Sequence, residues 1–218
     1  MTNTPHIDSI CIIFDMDGTL VDSEPLGYRA LLDFMPDVDE TVESLISRHR
    51  GGQFASIIAD LEVRHQFKFP DNFEPIYREH ARKLFETELK AMPNVHDMLA
   101  QLPYAKCVAS SSPMIKIEHA LSVTGLADFF GKHTYSAYQI NSWKPEPDLF
   151  LHAAKQMGFT PDNCIVIEDS AVGVTAAQRA GMTVFKYDPL GDEQTVDGYI
   201  LLKDHADLLD KIADVLKY

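Results

Sequence analysis

The sequence predicts an α/β fold, a doubly wound parallel sheet with an inserted α-helical domain. Short apolar runs recur along the chain, as in strands buried on both faces of a parallel sheet. From residue 93 onward these runs alternate with amphipathic helical stripes. Between about residues 20 and 91, directly after the first such run, only helical pattern is found.

The strand candidates are Ser9 to Phe14, Ala105 to Ala109, Asn163 to Ile167, Met182 to Lys186 and Tyr199 to Leu202. Helices are marked by apolar residues at i, i+3, i+4 and i+7. Tyr28, Leu31, Leu32 and Met35 follow that spacing, as do Phe54, Ile57, Ile58 and Leu61. Val95, Met98, Leu99 and Leu102 repeat it, and so do Phe150, Ala153, Ala154 and Met157. Tyr77, Ala81, Leu84 and Phe85 trace a further stripe, and Leu208, Leu209, Ile212, Val215 and Leu216 form the last. Gly173, Ala176, Ala177 and Ala180 predict a helix packed closely on the sheet and ended by Gly181. One strand, a helical block and then the remaining strands place a core at 1–19 and 92–218, with a helical cap at 20–91. Pro25 and Pro93 stand near the points where the chain leaves and re-enters the core.

With 218 residues the chain can bury one good-sized core and carry such an insertion. Its net charge of −14, from 19 basic and 33 acidic residues, opposes binding to nucleic acid or to anionic membranes. No stretch approaches the roughly 18 apolar residues of a membrane span, and Met1 to Asp8 lack the basic start and apolar run of a signal peptide. A cytoplasmic location is the expectation, and nothing specifies an oligomeric state. Cys11, Cys107 and Cys164 lie far apart, each within a short apolar run, and are expected as reduced, buried thiols.

In open parallel sheets ligands gather at the carboxyl ends of the strands. Past the first strand stands Asp15-Met16-Asp17-Gly18-Thr19, past the second Ser110-Ser111-Ser112, and past the third Glu168-Asp169-Ser170. Trp143-Lys144-Pro145 precedes the helix of Phe150. Each cluster has a plainer reading: aspartates favour turns and caps, Ser170 suits a helix N-cap, and a lone lysine is usually solvated. The serine run can open the helix of Met114, Ile117 and Leu121, and a helix start is also a phosphate site. Together they offer hard oxygen ligands for a metal, donors and a cation for phosphoryl oxygens, and a carboxylate able to accept a phosphoryl group. An EF-hand calcium loop is excluded, because Gly18 stands fourth from Asp15 where that motif needs glycine sixth.

The run from Asp15 to Glu24 after an apolar strand, followed by Lys144-Pro145-Glu146-Pro147 and Ile167 to Gly173, resembles the haloacid-dehalogenase-like hydrolases. The resemblance covers nearly the whole chain, and is strongest to the subfamily holding β-phosphoglucomutase, phosphoglycolate phosphatase and small sugar-phosphate phosphatases. Arg50-Gly51-Gly52, Tyr77-Arg78 and Leu84-Phe85-Glu86 make the cap most similar to the 6-phosphogluconate phosphatases. It implies a Rossmann-like core in which Asp15 attacks phosphorus to form an aspartyl-phosphate and Asp17 acts as acid and then base. Mg2+ would be held by the Asp15 carboxylate, the Asp17 backbone carbonyl and Asp169, with Glu168 nearby. Ser110, Ser111 and Lys144 would hold the phosphoryl oxygens. The substrate implied is a small phosphorylated metabolite, a sugar phosphate or sugar-acid phosphate. Arg48, Arg50 and Arg78 are candidate cap grips for a second anionic group.

A phosphomutase is the alternative activity, and a silent metabolite-binding protein the alternative of another class. Mutases of this subfamily carry a gating histidine where Gly27 stands here, and dehalogenases of the family lack the second aspartate, present here as Asp17. No motif residue is lost, as it would be in a silent protein. These features favour hydrolysis of phosphate esters.

Overall fold

The computed structural model describes residues 10–189, 191 and 198–216. Its strands are β1 (Cys11–Phe14), β2 (Ala105–Ser110), β3 (Thr134–Ser136), β4 (Cys164–Glu168), β5 (Thr183–Tyr187) and β6 (Ile200–Leu202). The four helices after β1 are α1 (Glu24–Leu32), α2 (Val42–His49), α3 (Phe54–His65) and α4 (Phe73–Glu88). The later helices are α5 (Val95–Gln101), α6 (Met114–Val123), α7 (Ala127–Phe130), α8 (Ala137–Ile140), α9 (Asp148–Met157), α10 (Ala171–Arg179) and α11 (Leu208–Val215).

All strand pairs are parallel, in the order β3-β2-β1-β4-β5-β6. The predicted doubly wound sheet is therefore observed, with β1 at its centre between β2 and β4. Successive side chains of a strand face opposite ways, and β1 divides accordingly. Ile12 and Phe14 join one core cluster with α5, α6 and α11, while Cys11 and Ile13 join a second with α9 and α10. Burying side chains such as Phe14, Phe130 and Phe150 stabilises the fold by roughly 1.5–3 kcal/mol each. Cys11, Cys107 and Cys164 are free and buried, and all three lie in the second cluster.

The helices α1 to α4 pack around a core of their own, built on Tyr28, Leu31, Leu45, Ile57, Leu61 and Phe73. The chain crosses to this unit and back along two adjacent segments. Met92 N donates to Leu20 O (2.9 Å) and Asp22 N to Lys90 O (3.0 Å), with Val21 bridged to Ala91. Each crossing segment ends just before one of the prolines that the sequence suggested, Pro25 and Pro93.

The structure departs from the sequence pattern at several ends. Met35 lies beyond α1 and Leu102 beyond α5, although both are buried. Each precedes a proline, whose ring disfavours helical backbone in the residue before it. The elements α2, β3 and the four-residue helices α7 and α8 were not predicted. The helix α2 is short but carries a capping box between Thr41 and Ser44, and β3 is a three-residue edge strand of polar sequence. Ser9 lies outside the described residues.

The C-terminal segment returns beneath the loop that follows β1. A 3-10 helix at His205–Asp207 is capped by Asp204, whose Oδ1 accepts from Ala206 N (2.9 Å) and Asn94 Nδ2 (2.8 Å). His205 is fully buried, stacks on Tyr187 with ring centroids 4.2 Å apart, and donates from Nε2 to the Thr19 carbonyl at 2.8 Å. Burial pushes its pKa down to about 4, against the opposing pull of the Thr19 carbonyl and Asp204. The folded chain thus takes up this proton less readily than the unfolded chain, where histidine titrates near 6.5. The stability so gained is complete above about pH 6.5 and is lost as pH falls toward 4, roughly 3 kcal/mol in all. Thermal midpoints measured from pH 7 to 4 should therefore fall less steeply for His205→Gln than for the parent chain. Parallel curves would rule out this histidine as a source of acid sensitivity.

Candidate active site

Four chain segments meet at the carboxyl ends of the central strands. Asp15 follows β1, Ser110 ends β2, and Glu168 ends β4 with Asp169 next. Lys144 arrives from the loop between α8 and α9, through a cis peptide to Pro145. Asp15 is drawn against β4 by its own backbone, N donating to Ile167 O at 2.9 Å.

Lys144 Nζ lies 2.5 Å from Asp15 Oδ1 and 2.8 Å from Glu168 Oε1, and all three side chains are at most 8% exposed. Glu168 is further fixed by Ser170, whose N (2.5 Å) and Oγ (2.9 Å) both donate to Oε2. Asp169 Oδ1 accepts from Thr19 Oγ1 at 3.1 Å. Asp15, Glu168 and Asp169 each offer an oxygen within 4.8 Å of the other two.

These anions are expensive to bury, and the proton affinities of Asp15 and Asp169 reflect it. Burial raises the Asp15 pKa to about 7, opposed by Lys144 and reinforced by Glu168 and Asp17. Burial also lifts Asp169 well above the carboxylate range, with Glu168 and Asp15 adding to it. Burial alone would push the Lys144 ammonium down, but Asp15 and Glu168 more than offset this and keep it charged.

Two glycines make the approach possible. A β-carbon on Gly18, which has a φ of 83°, would stand 2.5 Å from Asp169 Oδ2, and one on Gly173 would overlap the Glu168 carboxylate. Gly173 N also donates to Ser170 Oγ (3.1 Å), the cap of α10. The sequence reading gave Gly173 to helix packing alone; its missing side chain also makes room for a site carboxylate.

Asp17 stands apart from the three clustered carboxylates. Its side chain accepts from Ser23 Oγ, from Ser112 Oγ at 2.7 Å and from Lys116 Nζ at 2.8 Å. Burial would raise its pKa, but Lys116 and the two hydroxyls outweigh this and hold it below the usual range. Asp15 and Asp17 are therefore pushed apart, Asp15 upward and Asp17 downward. Ser23, Ser112 and Lys116 were not identified from the sequence as partners of Asp17. The available signal was the i, i+4 spacing of Ser112 and Lys116 across the start of α6.

Asp15 and Asp17 open into a cavity of about 720 Å³ between the sheet edge and α1, α3 and α4. Ser110 and Ser111 line it, Ser110 Oγ accepting from Ser112 N at 3.1 Å. Its outer wall is aromatic, with Phe54 stacked on Tyr77 (4.8 Å) and Tyr138 set edge-on to Trp143 (5.3 Å). Of the cap arginines named from the sequence, Arg78 lines this cavity. It lies over the Phe54 ring, pairs with Glu74 at 2.5 Å and donates to Tyr138 Oη at 3.2 Å. Arg48 is instead held by Glu40 at 2.9 Å, and Arg50 stands 3.5 Å from Glu24. Neither Arg48 nor Arg50 is part of the cavity wall.

The model of the haloacid dehalogenase-like hydrolases matches residues 12–186. The chain is 33% identical over 179 residues to 6-phosphogluconate phosphatase of Escherichia coli K12, spanning 81% of each chain. It is 32% identical over 180 residues to hexitol phosphatase B of the same organism, spanning 79% of this chain and 81% of that one. A solved haloacid dehalogenase-like protein from Agrobacterium tumefaciens superposes with a TM-score of 0.81 at 28% identity, covering 95% of this chain and 99% of that one. With the Asp15 loop, the lysine and the paired acidic residues gathered on one sheet edge, the chain belongs to the haloacid dehalogenase-like hydrolase family, as an enzyme that hydrolyses phosphate esters.

Proposed function

We propose that this chain is a magnesium-dependent, cytoplasmic phosphatase acting on a small sugar phosphate or sugar-acid phosphate, such as 6-phosphogluconate, through a phosphorylated Asp15. The observation that carries the reading is the buried Asp15 carboxylate, held 2.5 Å from Lys144 at the edge of a three-carboxylate cluster and facing the cavity. The curated relatives support the substrate class, since two of them are named as phosphatases of 6-phosphogluconate and of hexitols.

The donor set suits a divalent cation. Three buried carboxylates face one another with a single ammonium among them, a grouping that hard oxygen-seeking cations stabilise. Asp15 and Asp169 would hold the ion with the Asp17 carbonyl, and Glu168 would stand beside it. The bound ion would supply positive charge against the phosphoryl oxygens.

The chain's own groups would act as follows. An Asp15 carboxylate oxygen attacks phosphorus, the bond from phosphorus to the ester oxygen breaks, and that oxygen leaves with a proton from Asp17. Asp17 then takes a proton from water as its oxygen attacks the phosphorus, releasing phosphate and restoring the Asp15 carboxylate. With Lys116 and two hydroxyls upon it, Asp17 begins as a carboxylate suited to the second step. An arriving phosphate group places negative charge beside Asp17 and draws on Lys116; both effects raise its proton affinity, and Asp17 takes up from solvent the proton that it passes to the leaving oxygen. Lys144, with Ser110 and Ser111, would hold the phosphoryl oxygens.

Hydrolysis is preferred to transfer back onto a sugar because of Gly27, which lines the cavity. A β-carbon there would stand 3.3 Å from the Tyr77 hydroxyl, so a side chain at this position would require Tyr77 to shift by a few tenths of an ångström. In this reading residues 20–91 form a cap over a core of 1–19 and 92–218, and substrate choice lies in the cap. Arg78 is the cap arginine placed to meet a substrate anion.

Release of phosphate from an aryl phosphate should require Mg2+, stop on adding EDTA, and fall at least a thousandfold in Asp15→Asn. Turnover retained in that variant would remove Asp15 as nucleophile. Across a panel of phosphorylated sugars and sugar acids, Arg78→Met should lower kcat/KM for sugar acids about tenfold or more and leave neutral sugar phosphates nearly unchanged. An equal loss for both classes would take Arg78 out of substrate recognition. Conversion of β-glucose 1-phosphate to the 6-phosphate would favour the mutase.

A further inference from the structure

We infer that His205, distant in sequence from every motif of the site, is a positioning residue for the Asp169 carboxylate and acts on it through Thr19. The inference rests on the assignment of Asp169 as a metal ligand made above. Glu168 is held by three donors, from Lys144 and Ser170, whereas the one hydrogen bond to Asp169 among the described residues comes from Thr19 Oγ1. The direction in which Asp169 presents its oxygens therefore depends on where Thr19 is kept.

Thr19 is fully buried in a turn closed on either side of it, Gly18 N donating to Val21 O and Leu20 N to Met16 O, both at 2.9 Å. Its own N–H reaches Met16 O only at 3.3 Å. The shortest bond to its own backbone is the 2.8 Å one from His205 Nε2 to the Thr19 carbonyl. Because a carbonyl only accepts, Nε2 carries the proton, and Nδ1 is left buried without a partner.

That orphaned nitrogen argues against simple space-filling. A phenylalanine would stack on Tyr187 in the same way without burying an unpartnered polar atom. What the imidazole adds is the donor to Thr19. His205 itself is braced, since the helix it begins is capped by Asp204 and tied through Asn94 to α5. Just after Thr19 the chain enters the crossover of Leu20 and Asp22 with Lys90 and Met92. The bond thus anchors the loop between its metal-facing part and the path to the helical unit.

The test is a titration of the metal-free chain with Mg2+, read by calorimetry and by fluorescence of Trp143, the single tryptophan and part of the cavity wall. His205→Phe and His205→Asn should weaken Mg2+ binding about three- to tenfold, as expected for loss of one orienting hydrogen bond. His205→Gln, whose amide nitrogen can take the place of Nε2, should stay within about twofold of the parent. Thr19→Val should show the same loss, and adding His205→Phe to it should weaken binding little further, because the link is already cut. The proposal is overturned if the phenylalanine and asparagine variants bind Mg2+ like the parent, whatever their thermal midpoints. Full multiplication of the two losses in the double variant would overturn it as well. Should the phenylalanine variant fail to fold, the comparison of glutamine with asparagine decides. A parent chain that takes up no Mg2+ overturns the metal assignment too, so the two failures are distinguishable.

Discussion

Three carboxylates, Asp15, Glu168 and Asp169, are buried at the end of two adjacent strands with one ammonium, Lys144, to answer them, and the rest of the structure follows from that imbalance. Removing such charges from water costs several kcal/mol each even after relaxation, and one cation cannot neutralise three anions. The chain responds in two ways. It surrounds Glu168 with donors from Ser170 and Lys144, and it leaves Asp15 and Asp169 with raised proton affinity. A folded chain that holds acidic oxygens so close together is built around positive charge arriving from outside. Gly18 and Gly173 belong to the same constraint, because a side chain at either would occupy space that a carboxylate fills.

The loop after β1 separates two chemical settings only two residues apart. Asp15 faces the carboxylate cluster, where burial dominates and its proton is held more tightly. Asp17 faces Lys116 and two hydroxyls, where its charge is stabilised. The difference is supplied by α6, whose first turn brings Lys116 beside the Ser112 that precedes it. The nucleophile and proton carrier proposed for this loop need such unlike surroundings, since identical settings would give them the same affinity for protons.

The sheet and its helices were legible because parallel strands buried on both faces are continuous apolar runs, and helices lying on them show regular stripes. The elements that escaped had weak patterns for physical reasons. The edge strand β3 pairs only with β2 and is polar, and α2 is too short to repeat its apolar period. Among candidate site residues, Asp15, Ser110, Glu168 and Asp169 were marked by their place at strand ends, each with a plainer reading, and their roles came only with the family resemblance. Lys116 was not marked so, because a lysine on a helix is ordinarily solvated, and only folding sets it against Asp17. His205 was further out of reach, since its bond to Thr19 joins residues 186 apart. The cap arginines show the same limit in reverse. Arg48, Arg50 and Arg78 look alike in sequence, and their placement depends on which carboxylate each meets: Glu40, Glu24 or Glu74.

Burial also sorts the cavity's cations into two kinds. Lys144 is about 4% exposed and locked between two buried carboxylates, so separating it from them would leave uncompensated charge out of water. Arg78 is 29% exposed and its partner Glu74 is 50% exposed, an arrangement in which pairing contributes less than about 1 kcal/mol. An incoming anion can replace Glu74 on Arg78 at little cost, whereas no ligand can draw Lys144 away from Asp15 and Glu168 without a large penalty. The inner cation is therefore fixed by the fold and the outer one is free to exchange partners. On the proposed reading, the chemistry stays constant while substitutions on α4 change what the site accepts.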